Sequence, residues 1–286
     1  MSDAQPLVSA DWLAANLTDP AVRVLDCMVH LHPLPGGDMR AESGLADFET
    51  AHIPGAGFAD LITDLSDPDS PFRFTLPSAG RFAAAMGALG VGADTHVVLY
   101  ARNAYWATRV WWMLRHFGFD NASILDGGQK AWVAAGHPTE AGSAAGVAPA
   151  VFPTVKDRGL FCDLRDVRDA MGNNQTVTIN ALMAEQHAGT GGPHYGRPGR
   201  IPGSVSLPAR NLTDPATGLF RPLVELRAEF DAIGALDGRV ITYCGGGIAA
   251  SGDSFILHLL GQDDVRIYDA SLQEWAKSDQ PMETDA

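Results

Sequence analysis

The sequence predicts an α/β fold built twice: two tandem domains, each a mostly parallel sheet with helices on both faces. Three observations carry this. Short β-branched runs alternate with amphipathic segments along the chain, the order of a parallel sheet covered on both sides. The second half repeats the first at an offset of 143 residues (100 to 243, 126 to 269, 132 to 275): Tyr100-Ala101 matches Tyr243-Cys244, Leu125-Asp126 matches Tyr268-Asp269, and Trp132 matches Trp275. Between the halves the composition shifts to Ala, Gly and Pro. With 286 residues and 46% hydrophobic content, the chain can bury two ordinary cores.

The elements follow in order. Ser9 to Asn16 reads as a short helix with Ser9 as N-cap. Val22 to Cys27 reads as a strand, and His30 to Ala46, rich in Pro, Gly and charge, as a surface loop. Asp-Pro and Ser-Pro steps mark a second loop from Asp64 to Pro77. Ser78 to Leu89 is helical and ends at Gly90; Thr95 to Tyr100 is a strand; Ala107 to His116 is a helix of bulky apolar residues. Ala122 to Leu125 is a strand before Asp126-Gly127-Gly128, and Gln129 to Ala135 a last short helix. The domain boundaries expected are 1–140, a linker at 141–153, and 154–286. In the second half, Ile201-Pro202-Gly203 repeats Ile53-Pro54-Gly55 at an offset of 148 (53 to 201), so a small insertion lies between.

Charge and cysteine usage exclude several classes. A formal charge of -14 argues against nucleic-acid and anionic-membrane partners, and no apolar run is long enough to span a bilayer. The segment Met1 to Pro6 has neither a basic start nor an apolar signal core, which predicts a cytoplasmic protein. Cys27, Cys162 and Cys244 are odd in number, far apart and outside any CxxC pair, so neither a disulfide framework nor a structural zinc site is expected.

One stretch concentrates chemistry. Val240 to Tyr243 reads as a buried strand, Cys244 follows, then Gly245-Gly246-Gly247, then a helix from Ala249 to Leu260. Successive inward N–H groups in a glycine loop form an anion-binding nest, and the helix start adds positive potential. A thiol placed there ionises readily and acts as a nucleophile. The bland alternative is a small buried cysteine beside a glycine-rich turn. In open parallel sheets, ligands sit outside the carboxyl ends of strands, which is where Cys244 falls. A phosphatase would need an arginine after Cys and five residues; that position holds Ala250.

His52-Ile53-Pro54-Gly55-Ala56, Trp106 to Arg115, Asp126-Gly127-Gly128-Gln129-Lys130-Ala131-Trp132 and Tyr195 to Gly203 together resemble the tandem rhodanese family of sulfurtransferases, over nearly the whole chain. The resemblance implies two rhodanese-like domains, the second catalytic. Cys244 is then the nucleophile and Gly245, Gly246, Gly247, Ile248 and Ala249 the rest of its loop, while Ala101 leaves the first domain without a thiol at the matching position. It also implies transfer of a sulfane sulfur from 3-mercaptopyruvate or thiosulfate, through a cysteine persulfide, to cyanide or a thiol, thioredoxin-like proteins included, with no metal or organic cofactor. A non-catalytic persulfide carrier or regulatory module is the alternative on the same fold.

The chain departs from the family pattern at points that bear on the donor. Gly246 and Ala249 replace a serine and a threonine usual in the mercaptopyruvate class, and no residue from Gly245 to Ala250 is basic, as the thiosulfate class usually requires. Asn180-Ala181-Leu182 stands where the family often has Asp-Ala-Arg, whose arginine grips the donor, and Arg200 replaces a histidine. Arg197 and Arg200 either supply charge to the pocket or tie surface loops; if either faces the pocket, 3-mercaptopyruvate is the expected better donor. His52 either faces Cys244 and moves a proton or fixes the turn before Pro54. Asp126 and Asp269 read as braces of their following turns, the tryptophans as core packing, and Cys27 and Cys162 as buried.

Overall fold

A computed structural model describes residues 5–35, 38–144, 146–153 and 155–285. The first half contains β1 (Leu7–Val8), α1 (Ala10–Asn16), β2 (Val22–Asp26), β3 (Val29–Pro33), β4 (Met39–Ser43), α2 (Leu45–Thr50), β5 (Gly57–Phe58), α3 (Ala79–Ala88), β6 (His96–Tyr100), α4 (Ala104–His116), β7 (Ala122–Leu125) and α5 (Gly128–Ala134). The second contains β8 (Phe161–Cys162), α6 (Leu164–Ala170), β9 (Thr176–Asn180), α7 (Ala184–Ala188), β10 (Val205–Ser206), α8 (Leu223–Ala232), β11 (Arg239–Tyr243), α9 (Ala249–Leu259), β12 (Val265–Tyr268) and α10 (Ser271–Trp275).

Each half builds a five-stranded sheet, in the orders β1-β7-β6-β2-β5 and β8-β12-β11-β9-β10. All pairs within both sheets are parallel, so the expected α/β architecture is present twice with one topology. The central strands are β6 and β11, which end at Tyr100 and Tyr243. Both tyrosines do the same job: the Ile53 N–H donates to the Tyr100 hydroxyl at 3.3 Å, and the Ile201 N–H to the Tyr243 hydroxyl at 3.1 Å. The repeated Ile-Pro-Gly motif is therefore an anchor for the end of the central strand.

The segment expected as a loop from His30 to Ala46 is instead largely ordered. It forms an antiparallel hairpin, β3 with β4, followed by the start of α2. Its charged residues occupy a two-stranded ribbon with alternating exposure, and the resulting pairs, such as His32 with Glu42, sit on the surface. Helix α4 starts at Ala104, three residues earlier than its apolar run suggests. Between Ala134 and Phe161 no helix or strand occurs among the described residues. That segment still packs on the first half: the Ala150 N–H donates to Gly87, and Phe152 stacks on Phe119 with ring centroids 5.5 Å apart.

A central apolar cluster runs through both halves, from Leu99 and Trp111 to Cys244 and Phe255, while two smaller clusters line the outer sheet faces. The halves meet along α4 and α9. At their crossing the Thr108 and Ser251 hydroxyls lie 2.8 Å apart, and these residues are themselves equivalents at the repeat offset (108 to 251). Asp126 and Asp269, expected to brace their own turns, each also reach across: Asp126 accepts from the Phe220 N–H and Asp269 from the Leu76 N–H.

Candidate active site

Cys244 follows β11 directly and is 2% exposed. The loop after it is held from outside. The Leu272 and Gln273 N–H groups, in the first turn of α10, donate to the carbonyls of Cys244 and Gly245 at 3.1 and 2.9 Å. The Ser271 hydroxyl accepts from the Cys244 and Gly247 N–H groups, each at 3.1 Å, and donates to the Tyr268 carbonyl at 2.7 Å. Ser271 adopts a left-handed backbone, φ +52, which is costly for a residue with a side chain. The position is retained by a hydroxyl that satisfies two loop amides at once.

Gly247 is the loop residue that needs to be glycine on backbone grounds. Its φ is +73, and a Cβ there would lie 2.5 Å from the Asp269 carbonyl oxygen. Gly245 and Gly246 have ordinary backbone; side chains there would overlap the Tyr195 ring and the Gln273 amide.

The first half reaches into this loop. Arg109, on α4 and fully buried, donates from Nη2 to Asp269 Oδ1 and to the Phe74 carbonyl, both at 2.6 Å, and from Nη1 to the Gly247 carbonyl at 3.4 Å. The Gln273 side chain accepts from the Arg73 N–H and donates to the Arg73 carbonyl. With the carbonyls of Cys244, Gly245 and Gly247 drawn outward, no hydrogen bond among the described residues uses the N–H groups of Gly245, Gly246, Ile248, Ala249 or Ala250. A short loop whose carbonyls are bound on one side and whose amides are free is suited to hold an anion. Tyr105 and Tyr195 stand beside it, and burial pushes both phenols above their usual range, so they are neutral donors at neutral pH. Burial also pushes the Cys27 and Cys162 thiols up, which keeps them protonated.

Residues 9–135 and 163–278 each match the Rhodanese-like domain family. The chain belongs to the rhodanese family. It is 36% identical to the 3-mercaptopyruvate sulfurtransferase of Homo sapiens, over 94% of this chain and 91% of the human protein. It is 34% identical to the thiosulfate sulfurtransferase of Gallus gallus, over 94% of this chain and 92% of that one. Its structure resembles the crystal structure of SseA from Escherichia coli, a 3-mercaptopyruvate sulfotransferase, with a TM-score of 0.78 and 30% identity, covering 94% of this chain and 99% of SseA. The reaction class of this rhodanese-family chain is accordingly that of a sulfurtransferase.

The two rhodanese domains differ where chemistry is concerned. Ala101 occupies the place of Cys244, and Gly128, equivalent to Ser271 at the repeat offset (128 to 271), has the same left-handed backbone without the hydroxyl. A side chain on Gly128 would strike the Ala101 carbonyl, so the position that carries Ser271 in the second domain is held to glycine in the first.

Three of the residues expected to bind substrate are not brought to the loop. Arg197 donates to the carbonyls of Trp275, Ala276, Ser278 and Gln280, fastening the tail after α10. Arg200 is paired with Glu283 and Asp285 and bonds the His187 carbonyl. His52 has both ring nitrogens engaged, with the Phe48 carbonyl and Glu140, and stacks on Phe48 at 3.9 Å in the outer core of the first domain. Each serves a turn or tail, the second of the two roles that the sequence allowed it. Sequence reasoning missed Arg109, Ser271, Tyr105 and Tyr195. Ser271 carried a signal, since it breaks the repeat against Gly128; Arg109 carried another, as a charge inside a helix that is apolar all round.

Proposed function

We propose that this sulfurtransferase carries the transferred sulfur as a persulfide on Cys244. The observation that supports it is the loop itself: a thiol at the end of the central strand, next to amides of Gly245, Gly246, Ile248, Ala249 and Ala250 that bond nothing else among the described residues. The Cys244 thiolate attacks the outer sulfur of the donor, forming one S–S bond. With 3-mercaptopyruvate the donor C–S bond breaks and leaves the enolate of pyruvate, which takes a proton; with thiosulfate the S–S bond breaks and leaves sulfite. The persulfide anion stays in the nest until an acceptor thiolate, thioredoxin-like proteins included, or cyanide attacks its terminal sulfur and regenerates the Cys244 thiolate.

The relatives that act on 3-mercaptopyruvate and on thiosulfate leave both donors open, and we favour 3-mercaptopyruvate because the loop carries no basic side chain. Three cysteines, none paired, suit a reducing compartment such as the cytoplasm. No helix among the described residues is long and apolar enough to cross a membrane. Turnover of each donor, followed as pyruvate or sulfite release with cyanide or dithiothreitol as acceptor, tests the reading. Loss of turnover in Cys244→Ser supports it. Loading of sulfur without turnover would instead make the protein a carrier.

A further inference from the structure

A cleft of 930 Å³ lies between the two rhodanese domains and runs up to the first turn of α9, where Ala249 and Gly252 form part of its wall. Leu182, Met183, Tyr105 and Arg210 line it too, Arg210 from the short 3-10 turn Ala209–Leu212 that packs against Gly252. Arg210 is exposed to the cleft. Its recorded contact among the described residues is weak: Nη1 lies 3.9 Å from the Met183 sulfur. The other cations near the site are occupied. Arg109 holds Asp269, Arg197 and Arg200 hold the tail, Arg102 pairs with Asp47, and Lys130 donates to the Pro215 carbonyl.

We infer that Arg210 is the specificity-determining cation of this enzyme, and that it grips the carboxylate of an α-keto-acid sulfur donor while the donor's sulfur meets Cys244. The inference rests on the persulfide reading above. Three features point the same way. The cleft joins Arg210 to the start of α9 through one continuous space. Leu182 and Met183 make part of its lining apolar, which suits a short donor with an uncharged middle and an anionic end away from its sulfur. A guanidinium with no carboxylate partner among the described residues, in a chain of formal charge -14, is the matching group, and its planar fork suits a bidentate carboxylate. Tyr105, which lines the same cleft, lies within electrostatic reach of both Arg210 and Cys244. Thiosulfate, compact and charged at its reacting end, does not reach both.

Steady-state kinetics with 3-mercaptopyruvate and with thiosulfate, using cyanide in excess, test this in the wild type, Arg210→Lys and Arg210→Ala. Because Arg210 is exposed, all three should melt together. In Arg210→Ala the KM for 3-mercaptopyruvate should rise about 10- to 100-fold, the worth of a charge-assisted bidentate contact. kcat should change far less, and the thiosulfate parameters should stay within about threefold, since no bidentate contact is lost there. Arg210→Lys, which keeps the charge but not the fork, should fall between. An unchanged KM for 3-mercaptopyruvate in Arg210→Ala, or an equal loss with both donors, overturns the assignment of Arg210 while leaving the persulfide reading intact. A wild type that transfers sulfur from neither donor overturns that reading and the inference with it.

Discussion

Arg109 of the first rhodanese domain lies 2.6 Å from Asp269 of the second and 3.4 Å from the Gly247 carbonyl of the catalytic loop. The domain that carries Ala101 in place of the cysteine thus braces the loop of the other. A buried pair of this kind is worth little against a well-packed apolar replacement, but breaking it leaves an uncompensated charge. Its function here is orientation: with Gly247 pulled toward Arg109, the following Ile248 N–H turns the other way.

Arg109→Met should therefore destabilise the protein by about 3–5 kcal/mol through the stranded Asp269 carboxylate. The double variant with Asp269→Asn should recover part of that stability without recovering turnover. Denaturant unfolding and kcat, measured on the single and double variants, separate the two roles. Recovery of both together would reduce Arg109 to a structural tie.

Ser271 offers a cleaner test, because its hydroxyl and its backbone act in opposite directions. Ser271→Gly removes the hydroxyl but relieves the left-handed strain; Ser271→Ala removes the hydroxyl and keeps the strain. The glycine variant should be the more stable by about 1 kcal/mol. Both should lose turnover by at least about tenfold, since the Cys244 and Gly247 N–H groups lose their shared acceptor. Full activity in the glycine variant would show that Ser271 does not set the loop.

Gly247→Ala should be worse than the same change at either neighbouring glycine on backbone grounds. It adds a Cβ 2.5 Å from the Asp269 carbonyl at a φ of +73. Turnover should drop on the order of 100-fold, the cost of losing a well-aimed backbone donor. Wild-type kinetics in Gly247→Ala would mean that the loop tolerates another geometry.

The fold was legible in the sequence because the repeat is kept by its anchors. Tyr100 and Tyr243 bind the Ile-Pro-Gly turns, and Trp132 and Trp275 fill the outer cores. The His30 to Ala46 segment was misread because its prolines, glycines and charges suggest a loop, although Val29-His30-Leu31-His32 and Met39-Arg40-Ala41-Glu42 each alternate apolar and polar residues. Cys244 and its glycines were legible because their pattern is local. The functional cations were not. Arg197 and Arg200 flank a motif and looked available, yet backbone carbonyls and the tail carboxylates consume them. Arg210 and Arg109 lie far from Cys244 in sequence and reach the site only through the packing of α4, α9 and the 3-10 turn.

Asp253 lies in the interior of α9, and neither of its carboxylate oxygens has a hydrogen-bond partner among the described residues. Burial pushes its pKa far up, so it is held protonated in the folded state. Its contribution to stability is fully present below the unfolded carboxyl pKa, about 4, and is lost as pH rises through that value toward the raised folded one. Over that window the loss is about 1.4 kcal/mol per pH unit. Asp253→Asn should therefore gain stability relative to wild type between pH 5 and pH 8, a gain that grows with pH. Parallel stability–pH curves for the two proteins would show that Asp253 is ionised and partnered in the fold.

The central claim is that the transferred sulfur rests on Cys244. Peptide mass spectrometry after brief exposure to 3-mercaptopyruvate, without an acceptor, reads it directly. The account predicts one added sulfur atom on the peptide containing Cys244, removed by cyanide with release of thiocyanate, and none on the peptides of Cys27 or Cys162, whose thiols burial keeps neutral. Sulfur found on Cys27 or Cys162, or turnover with no sulfur ever resident on Cys244, would contradict it.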